Sequence, residues 1–323
     1  MLSDDKKIRD VVIVGGGPAG LTAGMYSARA RMDAILLESF SVMGQATMTD
    51  LIENYPGVER STGFDLVAGF KKQAESFGLQ TSQHTVTGVS AMTEQGKRIF
   101  EVRTETGEFR ALSVIVATGA SPKKLEVRGE KDLLGKGVSY CATCDGPFFK
   151  GKEVVVVGGG DTAVEEALYL TRFADKVTII HRRDRLRSVG ILQERAASSD
   201  KIDFAWDSVV EEIEGKDLVS GVALRNVKTG DISHIACGGV FVFVGWNPNT
   251  GFLGDLVALE KGGSIKVDRA MGSSLEGLFA CGDCTSKVLH QVVTAAGDGA
   301  TAAFSSQKYV EEIKGMAYGQ IEV

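Results

Sequence analysis

One pattern occurs twice in this chain and constrains its fold more than anything else: a short apolar strand that runs into a glycine turn and then a helix. The first copy reads Asp10-Val-Val-Ile-Val-Gly-Gly-Gly-Pro-Ala-Gly20. Residues 11–14 read as a buried parallel strand and residues 21–30 as a helix rich in small side chains. Between them, Gly15 permits the tight turn and Gly17 lets backbone approach a pyrophosphate. Gly20 lets the helix pack closely on the strand, and the helix start, with Pro18 and Ala19, faces the anion. A second strand over residues 34–38 ends in Glu38, which follows Gly15 by 23 residues. That is near the ~20 expected for an acid on a ribose 2′-OH.

The second copy, Glu153-Val-Val-Val-Val-Gly-Gly-Gly-Asp-Thr-Ala163, gives Gly158, Gly160, Asp161, Thr162 and Ala163 in the same positions. Residues 164–171 read as its helix and residues 176–181 as its second strand. His181 again follows the first glycine, Gly158, by 23 residues, but the strand end carries His181-Arg182-Arg183 and then Arg187 in place of an acid. A carboxylate accepts hydrogen bonds from a ribose diol and repels a 2′-phosphate, whereas guanidinium grips phosphate. The first site therefore suits a dinucleotide with free ribose hydroxyls, and the second suits NADPH. Two further strands end in small-residue turns, at Ala117-Thr118-Gly119 and at Gly282-Asp283. Asp283 suits the ribityl hydroxyls of a flavin, a group NAD lacks, which points to FAD as the first nucleotide, with a simple turn aspartate as the bland alternative.

Composition sets the bounds. The 323 residues are enough for about two domains. Forty glycines against five prolines fit tight turns and close ligand approach. A net charge of −6 speaks against a duplex-DNA binder, which needs a basic face. No run of 18 apolar residues suggests a membrane span, and the charged start carries no signal-peptide pattern. Five cysteines, an odd count, suggest a reducing compartment.

Cys141-Ala-Thr-Cys144-Asp145 is the reactive motif. A C-x-x-C pair cycles between dithiol and disulfide, and an adjacent acid suits proton transfer during exchange. The bland alternative is half of a zinc site. A second pair, Cys281-Gly-Asp-Cys284, lies too far along the chain for the usual zinc spacing. It reads as small buried residues in the flavin-site wall, with a second redox pair as the alternative. Cys237 reads as core.

These motifs, with Gln291-Val292-Val-Thr-Ala-Ala-Gly297, Gly44-Gln45 and Ile52-Glu-Asn54-Tyr-Pro-Gly57, resemble the low-molecular-weight, NADPH-dependent thioredoxin reductases over residues 9–310. The resemblance implies an α/β chain with two Rossmann-like domains in three-layer ββα form, the NADPH domain inserted into the FAD domain. The FAD domain would comprise residues 1–122 and 248–323, and the inserted domain residues 123–247. It implies a cytoplasmic homodimer with thioredoxin as partner. Cys144 would face the flavin, Cys141 would attack the thioredoxin disulfide, and Asp145 would be the general acid/base. Thr47, Asn54, His290 and Val292 join the cofactor set on the same basis. The family also alternates two domain orientations, with hinges here near 120–124 and 246–250. This chain departs from the family in Met43 before Gly44, in His290 where many members carry arginine, and in the second cysteine pair. A related flavin–dithiol enzyme fed by ferredoxin, or acting on another disulfide, is the competing reading.

Overall fold

The structure is a computed structural model and describes residues 7–39, 44–49 and 51–316. Met43 and the charged residues 1–6 lie outside the described residues. The chain divides into two compact units, Met1–Ser121 with Asn247–Val323, and Pro122–Trp246.

The first unit opens with β1 (Ile8–Val14), α1 (Pro18–Arg29) and β2 (Ala34–Glu38). It continues through α2 (Gly63–Ser76), β3 (Gln80–Gln83), β4 (Val86–Glu94), β5 (Lys97–Thr104) and β6 (Gly107–Val116). β1 lies between β2 and β6, parallel to both, and β3 extends the parallel set. β4, β5 and β6 form an antiparallel meander.

The chain leaves through β7 (Ala120–Pro122). The second unit holds β8 (Val138–Ser139), α3 (Ala142–Asp145), β9 (Glu153–Gly158), α4 (Asp161–Leu170), β10 (Lys176–Ile180), α5 (Gly190–Ala197) and β11 (Ile202–Ala205). Then come β12 (Ser208–Gly215), β13 (Val219–Asn226), β14 (Ile232–Ala236) and β15 (Gly239–Phe243). Its main sheet is all parallel, in the order β11-β10-β9-β15-β8. β12, β13 and β14 make a separate antiparallel sheet. The chain returns through β16 (Trp246–Pro248), and the first unit closes with β17 (Leu278–Ala280) and α6 (Val292–Ile313). β17 pairs in parallel with the end of β6. The α/β class with parallel nucleotide-type sheets is thus as the sequence implies.

The continuous valine runs follow from burial on both faces of each sheet. Val11 and Ile13 enter a core with Leu21, Ala23 and Ala302 from the helices. Val12 and Val14 enter the opposite core with Phe100, Val102 and Leu253. Val154 and Val156, and then Val155 and Val157, divide in the same way in the second unit. Each such side chain contributes about 1.5–3 kcal/mol by burial. A charge at Val12 or Val155 would therefore break its unit.

Several element ends differ from the sequence expectation. α1 and α4 each begin three residues early, at Pro18 and Asp161. Their N-caps, Gly17 and Gly160, are extended and carry no side-chain cap, so the glycine turn itself delivers the chain into the helix. β10 stops at Ile180, and His181 is the first residue beyond it. β6 stops at Val116, and β17 is only three residues long before a 3-10 turn over Gly282–Cys284. Among the described residues, no helix is long and apolar enough to cross a membrane.

Candidate functional site

In the first unit the registers Val14↔Val116 and Val116↔Ala280 end three parallel strands at one edge. The loops that follow, over residues 15–17, 117–119 and 281–283, therefore gather at the carboxyl ends of the strands, where open α/β sheets bind ligands. Close packing fixes them there. A Cβ on Gly15 would lie 2.3 Å from the Ala117 carbonyl oxygen, and Gly15 sits at φ +115°. A Cβ on Gly20 would lie 1.8 Å from the Gly15 carbonyl oxygen. Gly282, at φ +73°, packs on Ala19. Beside Gly17, by contrast, a Cβ would meet nothing within 4 Å, so the start of α1 opens onto free space.

Glu38 stands beside this turn. Its Oε1 accepts from Lys71 Nζ at 2.6 Å and Gln83 Nε2 at 2.8 Å. Its Oε2 lies against Gly16, where a Cβ would come within 2.3 Å. Lys71 and Gln83 were not legible as site residues, because nothing in the spacing of α2 or β3 marks them. Thr118 is tied to Asn249 by two hydrogen bonds, Thr118 Oγ1 to Asn249 O at 2.7 Å and Asn249 Nδ2 to Thr118 O at 3.0 Å. The Asn249 N–H donates to Gly119 O. Asn54 Nδ2 donates to Gln291 Oε1 at 3.1 Å, which brings the 52–57 loop to the start of α6 and Val292. Gly44 caps the 3-10 turn Gln45–Met48, which includes Thr47.

Asp283 Oδ1 is buried without a hydrogen-bond partner. His290 Nδ1 stands 3.5 Å away. Burial pushes the Asp283 carboxyl above its ordinary value, and the nearby His290 and Lys287 partly offset this. Lys287 itself pairs with Asp298 at 2.5 Å.

The second unit repeats the design. Val157↔Ile180 and Gly158↔Phe243 end their strands together. Gly158 takes φ +152°, and a Cβ on it would strike the Phe243 carbonyl oxygen at 2.4 Å and the buried Ala163 at 2.7 Å. His181 occupies the place that Glu38 holds in the first unit. Its ring covers Gly159 as Glu38 covers Gly16, and a Cβ on Gly159 would lie 2.4 Å from His181 Nδ1. His181 is 5% exposed, and its Nε2 is buried without a partner. Burial lowers its basicity, the charges of Arg187, Arg182 and Arg183 lower it further, and a hydrogen bond with the Gly158 backbone partly offsets this. The three arginines are exposed, and among the described residues no carboxylate pairs with them. Arg187 N–H donates to Gly159 O at 2.7 Å, and Asp161 Oδ1 accepts Val189 N–H at 2.8 Å. Both bonds fasten the arginine loop to the glycine turn. Thr162 is half-buried in the first turn of α4.

The same unit carries the cysteine pair as a disulfide, Cys141–Cys144, with Cα atoms 5.3 Å apart. Cys141 is the N-cap of the short helix α3, and its Sγ accepts the Cys144 N–H at 3.1 Å. That bond favours a thiolate on Cys141 once the disulfide opens. Ser139 Oγ accepts the Cys141 N–H at 3.0 Å and donates to its carbonyl at 3.1 Å. Asp145 follows at the end of α3, half-buried. The second pair behaves differently. Cys281 and Cys284 are both free thiols at 0% exposure. Cys281 packs with Ala19 and Ile115, whereas Cys284 packs with Val12 and Leu253 in the other core of the sheet. The two thiols thus lie in the cores on opposite faces of the sheet. Among the described residues, no group of three or more metal-ligating side chains comes together.

Two glycine-turn units and one surface disulfide define a nucleotide-dependent disulfide oxidoreductase. Residues 9–299 match the family described as pyridine nucleotide-disulphide oxidoreductase. The thioredoxin reductase of Bacillus subtilis (strain 168) is 46% identical over 311 residues, which span 96% of this chain and 97% of that protein. The solved thioredoxin reductase of Lactococcus lactis matches with TM-score 0.91 and 46% identity, covering 94% of this chain and 99% of that one. A ferredoxin-flavin thioredoxin reductase from Clostridium acetobutylicum matches at 30% identity with TM-score 0.53, over 95% of this chain and 99% of that one. The chain belongs to the pyridine nucleotide-disulphide oxidoreductases and, within them, to the thioredoxin reductases.

Proposed function

We propose that this chain takes electrons from NADPH, with FAD as its bound cofactor, and delivers them through the Cys141–Cys144 pair to the disulfide of thioredoxin. The observation that carries this reading is the disulfide Cys141–Cys144, held in the same unit as a glycine turn flanked by three exposed arginines. Those arginines favour NADPH over a ferredoxin donor, because only the nucleotide brings a phosphate for them to bind.

The first site fits FAD on three counts. The open start of α1 at Gly17 suits a pyrophosphate. The Glu38 carboxylate suits a ribose diol, and the buried Asp283 Oδ1, with His290 Nδ1 3.5 Å away, suits a polyol hydroxyl. Gly15, Pro18, Ala19, Gly20, Gly44, Gln45, Thr47, Asn54, Ala117, Thr118, Gly119, Gly282, His290, Gln291 and Val292 complete that set. When bound, FAD supplies a two-electron carrier between the nicotinamide and the disulfide. The second site, with Gly158, Gly160, Asp161, Thr162, Ala163, His181, Arg182, Arg183 and Arg187, holds NADPH.

The protein's own chemistry is thiol exchange. In the dithiol form, the Cys141 thiolate attacks one sulfur of the thioredoxin disulfide and displaces the other as a thiolate, which Asp145 protonates. Asp145, now a carboxylate, takes the proton of Cys144, which attacks Cys141 Sγ and displaces the thioredoxin sulfur as a thiolate, to which Asp145 passes that proton. That step reforms the Cys141–Cys144 disulfide and releases thioredoxin with two thiols. The family resemblance supports a homodimer, and a dithiol enzyme fed by NADPH suits the reducing cytoplasm.

Two single variants test the roles. Cys144→Ser should still transfer electrons from NADPH to flavin, lose thioredoxin turnover, and trap a mixed disulfide at Cys141. Cys141→Ser should trap none. Thioredoxin turnover that survives in Cys144→Ser contradicts the assignment.

A further inference from the structure

The two oxygens of Glu38 have separate surroundings. Lys71 Nζ at 2.6 Å and Gln83 Nε2 at 2.8 Å both donate to Oε1. Oε2 lies instead on the glycine turn, 2.3 Å from where a Cβ on Gly16 would sit. Lys71 comes from α2, in one row with the buried Val67 and Ala74, and Gln83 is the register partner of Glu38 on β3. The Glu38 side chain is 17% exposed and that of Lys71 36%, so water screens this pair less than a fully exposed one.

A carboxylate at this place meets two opposed demands. A ribose diol needs its acceptor oxygens, whereas a pyrophosphate on the turn is repelled by its charge. A cation bound to one oxygen satisfies both, because it offsets the charge, fixes the side chain and leaves the other oxygen open. We propose that Lys71 is a positioning residue of the first nucleotide site, holding Glu38 by Oε1 so that Oε2 meets the ribose diol of FAD and the carboxylate charge is offset beside the pyrophosphate. Gln83 is the uncharged second support. This rests on the reading of that turn as the FAD site and adds to it a residue that acts through Glu38.

The surrounding charges leave this task to Lys71. Among the described residues it is the one basic side chain paired with Glu38. Lys7 and Arg9 pair with Asp33, which precedes β2, and Arg9 also reaches Gln80 at the start of β3 at 3.2 Å. Those contacts lie at the amino ends of the two strands, away from the carboxyl ends where the glycine turn gathers. Without Lys71, Glu38 keeps only the neutral Gln83 amide on Oε1 and meets the pyrophosphate with its full charge. Replacing the acid by glutamine removes the charge that Lys71 offsets, so the contribution of the lysine goes with it.

Stepwise dilution of the FAD-loaded full chain tests this, with the released flavin read by its fluorescence. Lys71→Met should weaken FAD about tenfold or more, as expected for one lost charge-assisted hydrogen bond. Lys71→Arg should recover part of that loss, because guanidinium donates to the same oxygen. Gln83→Leu should lose less than Lys71→Met, since the amide carries no charge. A double-mutant cycle with Glu38→Gln separates a lysine that acts through the acid from one that merely supports the fold. Once residue 38 is glutamine, Lys71→Met should cost less than about twofold more. A full loss in that background means that the lysine attracts the pyrophosphate directly, and overturns the proposal. Unchanged FAD affinity in Lys71→Met, or no recovery in Lys71→Arg, overturns it as well. If Lys71→Met does not fold, Lys71→Gln takes its place in the same cycle. A wild-type chain that holds no FAD overturns the FAD-site reading itself.

Discussion

At the residue scale, the two glycine turns differ chiefly in what covers the middle glycine of each, Glu38 over Gly16 and His181 over Gly159. The arginines beside His181 are exposed. Removing Arg182 and Arg187 together should therefore weaken NADPH binding by roughly 1.5–3 kcal/mol for each lost charge-assisted bond, while NADH binding hardly changes. Titration of both nucleotides checks this, and equal weakening contradicts the phosphate assignment. The positions of Glu38 and His181 were legible, because strand periodicity and spacing from the first glycine fix them. Their partners were not. Lys71 on α2 and Gln83 on β3 reach Glu38 through tertiary packing alone, and no local pattern announces a side chain that arrives from another element.

At the element scale, the segment leading to the redox loop is held by one buried acid. Glu130 is 4% exposed and accepts from Leu125 N–H at 2.8 Å, Glu126 N–H at 2.6 Å and Tyr140 Oη at 2.7 Å. Burial and this bond raise the Tyr140 phenol well above its ordinary value. Glu130→Ala leaves three donors without an acceptor and should cost about 3 kcal/mol or more in urea unfolding, against about 1 kcal/mol for Tyr140→Phe. Equal small losses would contradict the clamp. The buried thiols give a second expectation. Burial pushes Cys237 up to about 12 and Cys284 up to about 11, and raises Cys281 as well. The folded state thus keeps protons that unfolded thiols lose from about pH 8.5. Their contribution to stability is level below that pH and falls as pH rises toward 11. In the native, reduced protein, iodoacetamide should label Cys141 and Cys144, with Cys237, Cys281 and Cys284 labelled only on unfolding. Fast labelling of Cys281 or Cys284 would contradict the wall assignment. Helix starts were misread by three residues because a glycine turn looks like a break, whereas here it is the N-cap.

At the scale of the whole molecule, one glycine-turn unit is interrupted in sequence by another, and β17 returns to pair with β6 after the inserted stretch. The repeat was visible because both copies obey the same strand–turn–helix spacing. The pairing of Thr118 with Asn249 and of Asn54 with Gln291 was not, since each bond joins segments far apart in sequence. In the proposed function, both units serve one electron route from NADPH to a protein disulfide. The measurement that tests it most directly is anaerobic NADPH oxidation by the FAD-loaded protein, followed by absorbance with and without oxidised thioredoxin. The account predicts rapid oxidation that depends on thioredoxin, with one NADPH consumed per thioredoxin disulfide reduced. Flavin that NADPH does not bleach, or bleached flavin with no turnover on thioredoxin, would contradict it.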